Sequence, residues 1–254
     1  MTHFMKKIWL FFFSGILFLS FSCSKDEKLL SDQGLKEIPV FLLSPDFLSN
    51  YNFYPLDHTL KLAYKDHQLS RITGGFLPIP GANGTRNDFT DIIYWIISIS
   101  GDRVKLEKKS SDKGVSFDER HELRYQNKLI TERRIIRGDQ PISIYKYEYE
   151  NNLLKKEYYY LGDQLPLEKT FYFNASKNLD SIVYKYPYSA SKIIDIFTNY
   201  DRKPNKLMGL LVLEEFLPRA LSVNNYLEMN RVYVDEEGVR SPSGDRRWDA
   251  KLFN

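Results

Sequence analysis

Cysteine is almost absent from this chain: Cys23 is the only one in 254 residues. That excludes a disulfide framework and any zinc site built from several thiolates. Histidine is nearly as scarce. Beyond His3 only His58, His67 and His121 remain, and His121-Glu122 lacks the second histidine of a zinc-protease helix. No G-x-S-x-G element is present, and no Cys/His pair is available as a nucleophile. Gly81-Ala82-Asn83-Gly84 is too short for a phosphate-binding loop and reads as a turn. Asp235-Glu236-Glu237 lacks the D-x-D-x-D-G spacing of a calcium loop. No metal site and no cofactor is expected. Long apolar runs are also missing after residue 22. The greasiest piece, Ile92 to Ile99, is eight residues, which fits a buried strand and not a membrane span.

The one long apolar stretch lies at the start. Lys6 and Lys7 precede Ile8 to Phe13 and Gly15 to Leu19, and small residues follow at Ser20, Ser22, Cys23 and Ser24. Charge, apolar run and small residues, in that order, make a secretory signal. Ser20-Phe21-Ser22-Cys23 resembles a bacterial lipobox, whose cysteine is joined to diacylglycerol and becomes the first mature residue. Phe21 is bulky for that motif, and Ser20 stands where leucine is usual. Lipidation gives a lone exported thiol a purpose, and several acyl chains give a durable anchor. Ser24-Lys25-Asp26-Glu27 resembles the signal that sends Bacteroidetes lipoproteins to the outer face of the outer membrane. Lys25, Asp26 and Glu27 are the residues that carry it. The expected partner is thus a membrane, reached through N-terminal acyl chains. The 36 basic residues, less Lys6 and Lys7, leave 34 against 33 acidic ones. Such a balance offers no polycation to grip nucleic acid.

The mature chain divides into a polar tether over 23–37 and one domain over 38–254. The domain has a repeat core over 56–234 and a polar extension over 235–254, with turns expected at Glu237-Gly238 and Ser243-Gly244. Trp248 is expected to dock on the sheet. All 18 tyrosines lie in the mature part. Four stretches look alike, beginning at Leu60, His121, Tyr145 and Lys169. In each, an aromatic residue ends a strand, a polar turn follows, and a leucine opens the next strand. Tyr64 precedes Leu69, Tyr125 precedes Leu129, Tyr149 precedes Leu153, and Phe173 precedes Leu179. Tyr125, Tyr149, Phe173 and Phe197 are spaced 24 residues apart. A looser copy surrounds Gly101-Asp102. Within a copy, Tyr145, Tyr147 and Tyr149 alternate with Ile144, Lys146 and Glu148, the period of a strand. Twenty-four residues hold about two strands and two turns. The predicted fold is all-β: a curved antiparallel meander of repeated hairpins, interrupted over 207–221 by a short helix or loop that plugs the sheet. Pro218 should stop or kink that helix.

These hairpins resemble YD-type (RHS-like) repeats, and more closely a group of Bacteroidetes lipoproteins built from them. The closest likeness is Phe197-Thr198-Asn199-Tyr200-Asp201-Arg202-Lys203-Pro204-Asn205 followed by Leu221-Ser222-Val223-Asn224-Asn225. It resembles that group's paired YD-x-K-x-N-P and LS-x-NN elements, although Pro precedes Asn here. The resemblance covers about residues 56–234 and implies a β fold on a surface lipoprotein. It carries over no catalytic residue.

The functional expectation is a non-catalytic binding or interaction module whose ligand is a glycan, peptide or partner protein. Tyr147, Tyr149, Tyr158, Tyr160, Tyr184 and Tyr186 are the candidate binding aromatics, able to stack against sugar rings. The competing expectation for these tyrosines is cross-strand pairing that stabilises the sheet. Two further readings are an extracellular polymer-processing enzyme such as a glycan hydrolase, marked by paired buried carboxylates in a cleft, and a structural envelope component.

Overall fold

The structure, a computed structural model, describes residues 29–31, 34–42, 58–81 and 84–248. Cys23, Lys25, Asp26 and Glu27 lie outside the described residues, as does the signal segment.

Fourteen strands run in chain order: β1 (Glu37–Pro39), β2 (Thr59–Lys65), β3 (Gln68–Gly81), β4 (Gly84–Ser100), β5 (Arg103–Ser110), β6 (Glu119–Gln126), β7 (Leu129–Arg137), β8 (Gln140–Glu150), β9 (Leu153–Leu161), β10 (Leu167–Phe173), β11 (Leu179–Lys185), β12 (Lys192–Pro204), β13 (Asn224–Val234) and β14 (Arg240–Arg247). Each pairs antiparallel with the next, so the sheet is a single uncrossed meander. The sheet is not closed: β1 and β14 remain its two edges. The all-β curved meander expected from the repeats is what the chain adopts.

The turns follow from local chemistry. Asp66-His67, Asn127-Lys128 and Asn151-Asn152 each put two consecutive residues at φ between +51° and +66°. Each closes a two-residue hairpin, β2–β3, β6–β7 and β8–β9. That is the type I′ turn, whose twist matches paired strands and which Asn and Asp tolerate best. Replacing Asn152 with Val should therefore cost about 1–2 kcal/mol, because a β-branched residue is strained in the left-handed region. Asn152→Gly should be neutral or slightly stabilising. Urea unfolding of the two variants checks this, and equal stabilities would refute the turn assignment.

Each of the four similar stretches carries a bulge at the same place. Tyr64 pairs with Leu69, Tyr125 with Ile130, Tyr149 with Leu154 and Phe173 with Leu179, and the register shifts immediately beyond each pair. The buried partners in the second and third units are thus Ile130 and Leu154; Leu129 and Leu153, picked from the sequence, sit one place early and are only half-buried. The extra residue is Ser70, Thr131, Lys155 or Asp180. Ser70 and Thr131 bond back to the opposite strand, at the carbonyls of Ala63 and Arg124. One extra residue reverses the alternation. Hence the residue three after each apolar partner also faces inward: Ile72, Arg133, Glu157 and Ile182, all fully buried. The two outer units put isoleucine there. The two central units put a cation and an anion.

The inner face is covered by residues 205–223, which replace the turn between β12 and β13. They carry one 3-10 turn (Glu214–Phe216) and one α-helical turn, α1 (Leu217–Ala220). Pro218 does not end this helix. It sits in the first turn, where its missing N–H has no partner to lose. Leu207, Val212, Leu213, Phe216 and Leu217 join the sheet's core, which includes Leu106, Leu123, Phe171 and Phe197. The sequence elements around Tyr200 and Asn224 form the base of this plug. Asn205 donates to the carbonyls of Arg219 and Ser222 at 2.6 and 2.8 Å, and its Oδ1 accepts from Leu207 at 2.9 Å. Ser222 accepts from Leu179 N–H, Asp201 holds Asn225 through two bonds, and Tyr200 donates to the Leu179 carbonyl. That motif pair is therefore a latch, built from buried polar groups that satisfy one another.

Toward the other end of the chain, Leu29, Leu30 and Leu35 pack against the core. Leu69 N–H bonds to the Leu30 carbonyl, and Ser31 bridges to Gln68. Residues 29–31 and 34–37 of the expected tether thus lie against the sheet. After β13, Gly238 makes the expected turn, but Ser243-Gly244 lies within β14 beside a bulge. Trp248 docks as expected, edge-on to Tyr226 and over the Arg219 guanidinium.

Candidate functional site: a groove between plug and sheet

Strand register lines up the inner face in rows. One row runs Leu123–Arg133–Tyr145–Tyr159–Leu167 across β6 to β10. The next runs Tyr147–Glu157–Lys169–Tyr184–Ile193 across β8 to β12. A third passes through Leu106, His121, Ile135 and Ser143. The plug lies over these rows without filling them. It leaves a cavity of about 500 Å³ on the β9–β12 side and one of about 320 Å³ on the β4–β7 side. The two share His121, Ile135, Tyr145, Tyr159 and Glu215 along their walls, so they form one groove with a waist. Tyr145 and Tyr159 stack obliquely there, ring centres 4.8 Å apart.

Charges at the floor tie plug to sheet. Arg133, 0% exposed, donates to Glu214 at 3.0 Å and to the Leu211 carbonyl at 2.6 Å. Lys169 lies 2.8 Å from Glu214 and 2.7 Å from Glu157. Glu157 is fully buried, and no donor is aligned with either of its oxygens among the described residues. Burial is the largest influence on it and, with the Glu214 charge, lifts its carboxyl to about 7. Burial also pushes up on Glu214, but Lys169 and Arg133 outweigh it and hold that carboxyl below the ordinary range. Burial likewise opposes the charge on Lys169, yet Glu157 and Glu214 keep its ammonium well above the ordinary value.

The remaining wall cations are also matched. Asp195 takes Arg231 at 2.6 and 2.7 Å and the Tyr184 hydroxyl at 2.9 Å. Glu119 faces Arg137 at 2.8 Å and Lys108 at 3.7 Å. His121, packed on Trp95, points Nε2 at Glu119 from 3.7 Å. That interaction leads the influences holding the Glu119 carboxyl at about 2. Burial is the main influence lowering His121, and Glu119 only partly offsets it.

The six tyrosines chosen from the sequence do not share a face. Tyr147 and Tyr184 are buried on the inner face, with Tyr149 half-buried beside the core. Tyr184 and the more exposed Tyr186 line the larger cavity. Tyr158 and Tyr160 flank the inward Tyr159 and so point outward, where they lie beside Lys156 and Lys146, and Tyr158 donates to Glu148. The groove instead depends on Arg133, Lys169, Glu214, Glu215 and His121, none of which the tyrosine pattern singles out.

No family model matches the sequence, and comparison with curated proteins finds none that matches.

Proposed function

We propose that the protein is a lipid-anchored lipoprotein of the bacterial outer membrane, displayed outward, whose inner-face groove binds a glycan or similar extended ligand. The observation that carries the binding reading is the groove itself. Its combined volume lies within the roughly 300–1,000 Å³ typical of small-molecule sites, and Tyr145, Tyr159, Tyr184 and Tyr186 give it aromatic walls. The anchor reading rests on the signal segment and Cys23, and the outward reading on Lys25-Asp26-Glu27. The likeness to Bacteroidetes YD-repeat lipoproteins supports both.

Two experiments test it. Cys23→Ala should move the protein from the membrane to the soluble fraction; continued membrane attachment would refute the anchor. Protease applied to intact cells should cut the protein, with lysed cells as control. Cleavage only after lysis would refute outward display.

A second reading, a glycan hydrolase, draws on Glu157 and Glu214, two carboxyls with opposite shifts on one ammonium. Divergent carboxyl pairs suit acid and base roles. Glu157, however, does not reach the groove. Release of reducing sugar from polysaccharide, abolished in Glu214→Gln, would favour this reading over binding.

A further inference from the structure

Every cation in the groove walls already faces a carboxylate. Lys169 has Glu157 and Glu214, Arg231 has Asp195, and Lys108 and Arg137 share Glu119. A charged ligand would have to displace one of these internal partners, which is costly in a desolvated site. The groove is therefore poor at holding an ion.

Two polar atoms at the waist are different. His121 is 7% exposed, and its Nδ1 has no partner among the described residues. Because Nε2 faces the Glu119 carboxylate, the proton belongs on Nε2, leaving Nδ1 a bare acceptor. Glu215 Oε2 is also enclosed without a partner. Burial raises that carboxyl, against the pull of its own backbone N–H and Arg133, and in either protonation state its enclosed oxygen can be met by a hydroxyl. Both residues border both cavities. A purely apolar occupant would leave the two unsatisfied, at about 1–3 kcal/mol each. An occupant with hydroxyl groups satisfies both, since a hydroxyl donates and accepts. The Tyr145–Tyr159 pair alongside offers aromatic faces for the C–H face of a sugar ring.

We infer that the groove selects an uncharged saccharide, with one hydroxyl donating to His121 Nδ1 and another hydrogen-bonded to the Glu215 carboxyl at the waist. This rests on the groove being a ligand site.

The test uses the detergent-purified full chain on arrays of three probes: uncharged oligosaccharides, oligosaccharides bearing uronate or sulfate, and uncharged peptides. Uncharged oligosaccharides should bind, and Tyr186→Ala should weaken them. His121→Leu and Glu215→Leu should each lower affinity by about ten-fold or more. Glu215→Gln, which keeps an uncharged group able to donate and accept at the same place, should stay within about three-fold of wild type. Thermal melting establishes that each variant is folded, and the Gln-against-Leu contrast at position 215 stands even if His121→Leu does not fold. Saccharide binding that falls in Tyr186→Ala but is unchanged in Glu215→Leu would overturn this inference and leave the groove reading intact. Binding only to charged glycans, or only to peptides, would overturn it as well. Binding to no probe would overturn both.

Discussion

Glu214→Ala should destabilise the protein by about 3 kcal/mol. The reason is the charge left behind. Arg133 is wholly enclosed, and its contacts to the plug are Glu214 and the Leu211 carbonyl. Removing one partner of a buried ion pair costs about 3–5 kcal/mol because the other charge stays desolvated. The lower end applies, since Glu214 keeps a quarter of its side chain open to the groove. Lys169 suffers less, because Glu157 remains beside it at 2.7 Å. Replacing both members, as in Arg133→Met with Glu214→Ala, should recover much of the loss, because no orphaned guanidinium remains. Urea unfolding of wild type, single and double variants measures this. Limited proteolysis should show the single variant cut earlier within 205–223, where the plug is released from the sheet. A single variant within about 0.5 kcal/mol of wild type would show that the Arg133–Glu214 pair does not hold the plug.

The repeat was legible in the sequence because its causes are local. Turn residues, strand alternation and the spacing from Tyr125 to Phe197 all act within a few residues. They specify hairpins without tertiary information. The groove was harder to read because it depends on one-residue shifts. Without the bulges at Thr131 and Lys155, Arg133 and Glu157 would point outward and look like ordinary surface charge. A signal was nonetheless present. Once the four units are aligned on their buried partners, Arg133 and Glu157 occupy the slot that Ile72 and Ile182 fill with hydrocarbon. A charge at a core position of a repeat, complementary in adjacent units, points to a partner from elsewhere. Here that partner is Glu214, on the segment where the β pattern stops. The tyrosines divide for a related reason: Tyr184 and Tyr186 line the larger cavity while Tyr158 and Tyr160 face outward, and abundance alone does not tell which face a tyrosine takes.

The same buried cluster should make stability fall as the solution turns from mildly acidic to mildly alkaline. Glu157 titrates near 4.5 when unfolded and at about 7 when folded. A carboxyl whose folded value is raised binds its proton more tightly in the folded state. Its protonated form is therefore fully compatible with folding below about pH 4.5. As pH rises through 7, the unfolded chain gains the free energy of ionisation that the folded chain resists. The gap corresponds to about 3 kcal/mol, lost across that window and constant above it. Glu215, also raised by burial, adds in the same sense. Glu214, Glu119 and His121 act oppositely, because their folded values are lowered and their contributions fade as pH falls. The absolute curve is thus a composite, and its difference from Glu157→Gln reports Glu157 together with its coupling to Glu214 and Lys169. The glutamine cannot ionise, so its stability relative to wild type should rise by about 3 kcal/mol between pH 4.5 and pH 8. The rise should be steepest between pH 5 and 7. Urea unfolding of both proteins across that range reads it directly. Parallel curves would mean that Glu157 ionises as readily in the folded protein as in the unfolded chain. In that case Lys169, at 2.7 Å, must compensate fully for the burial.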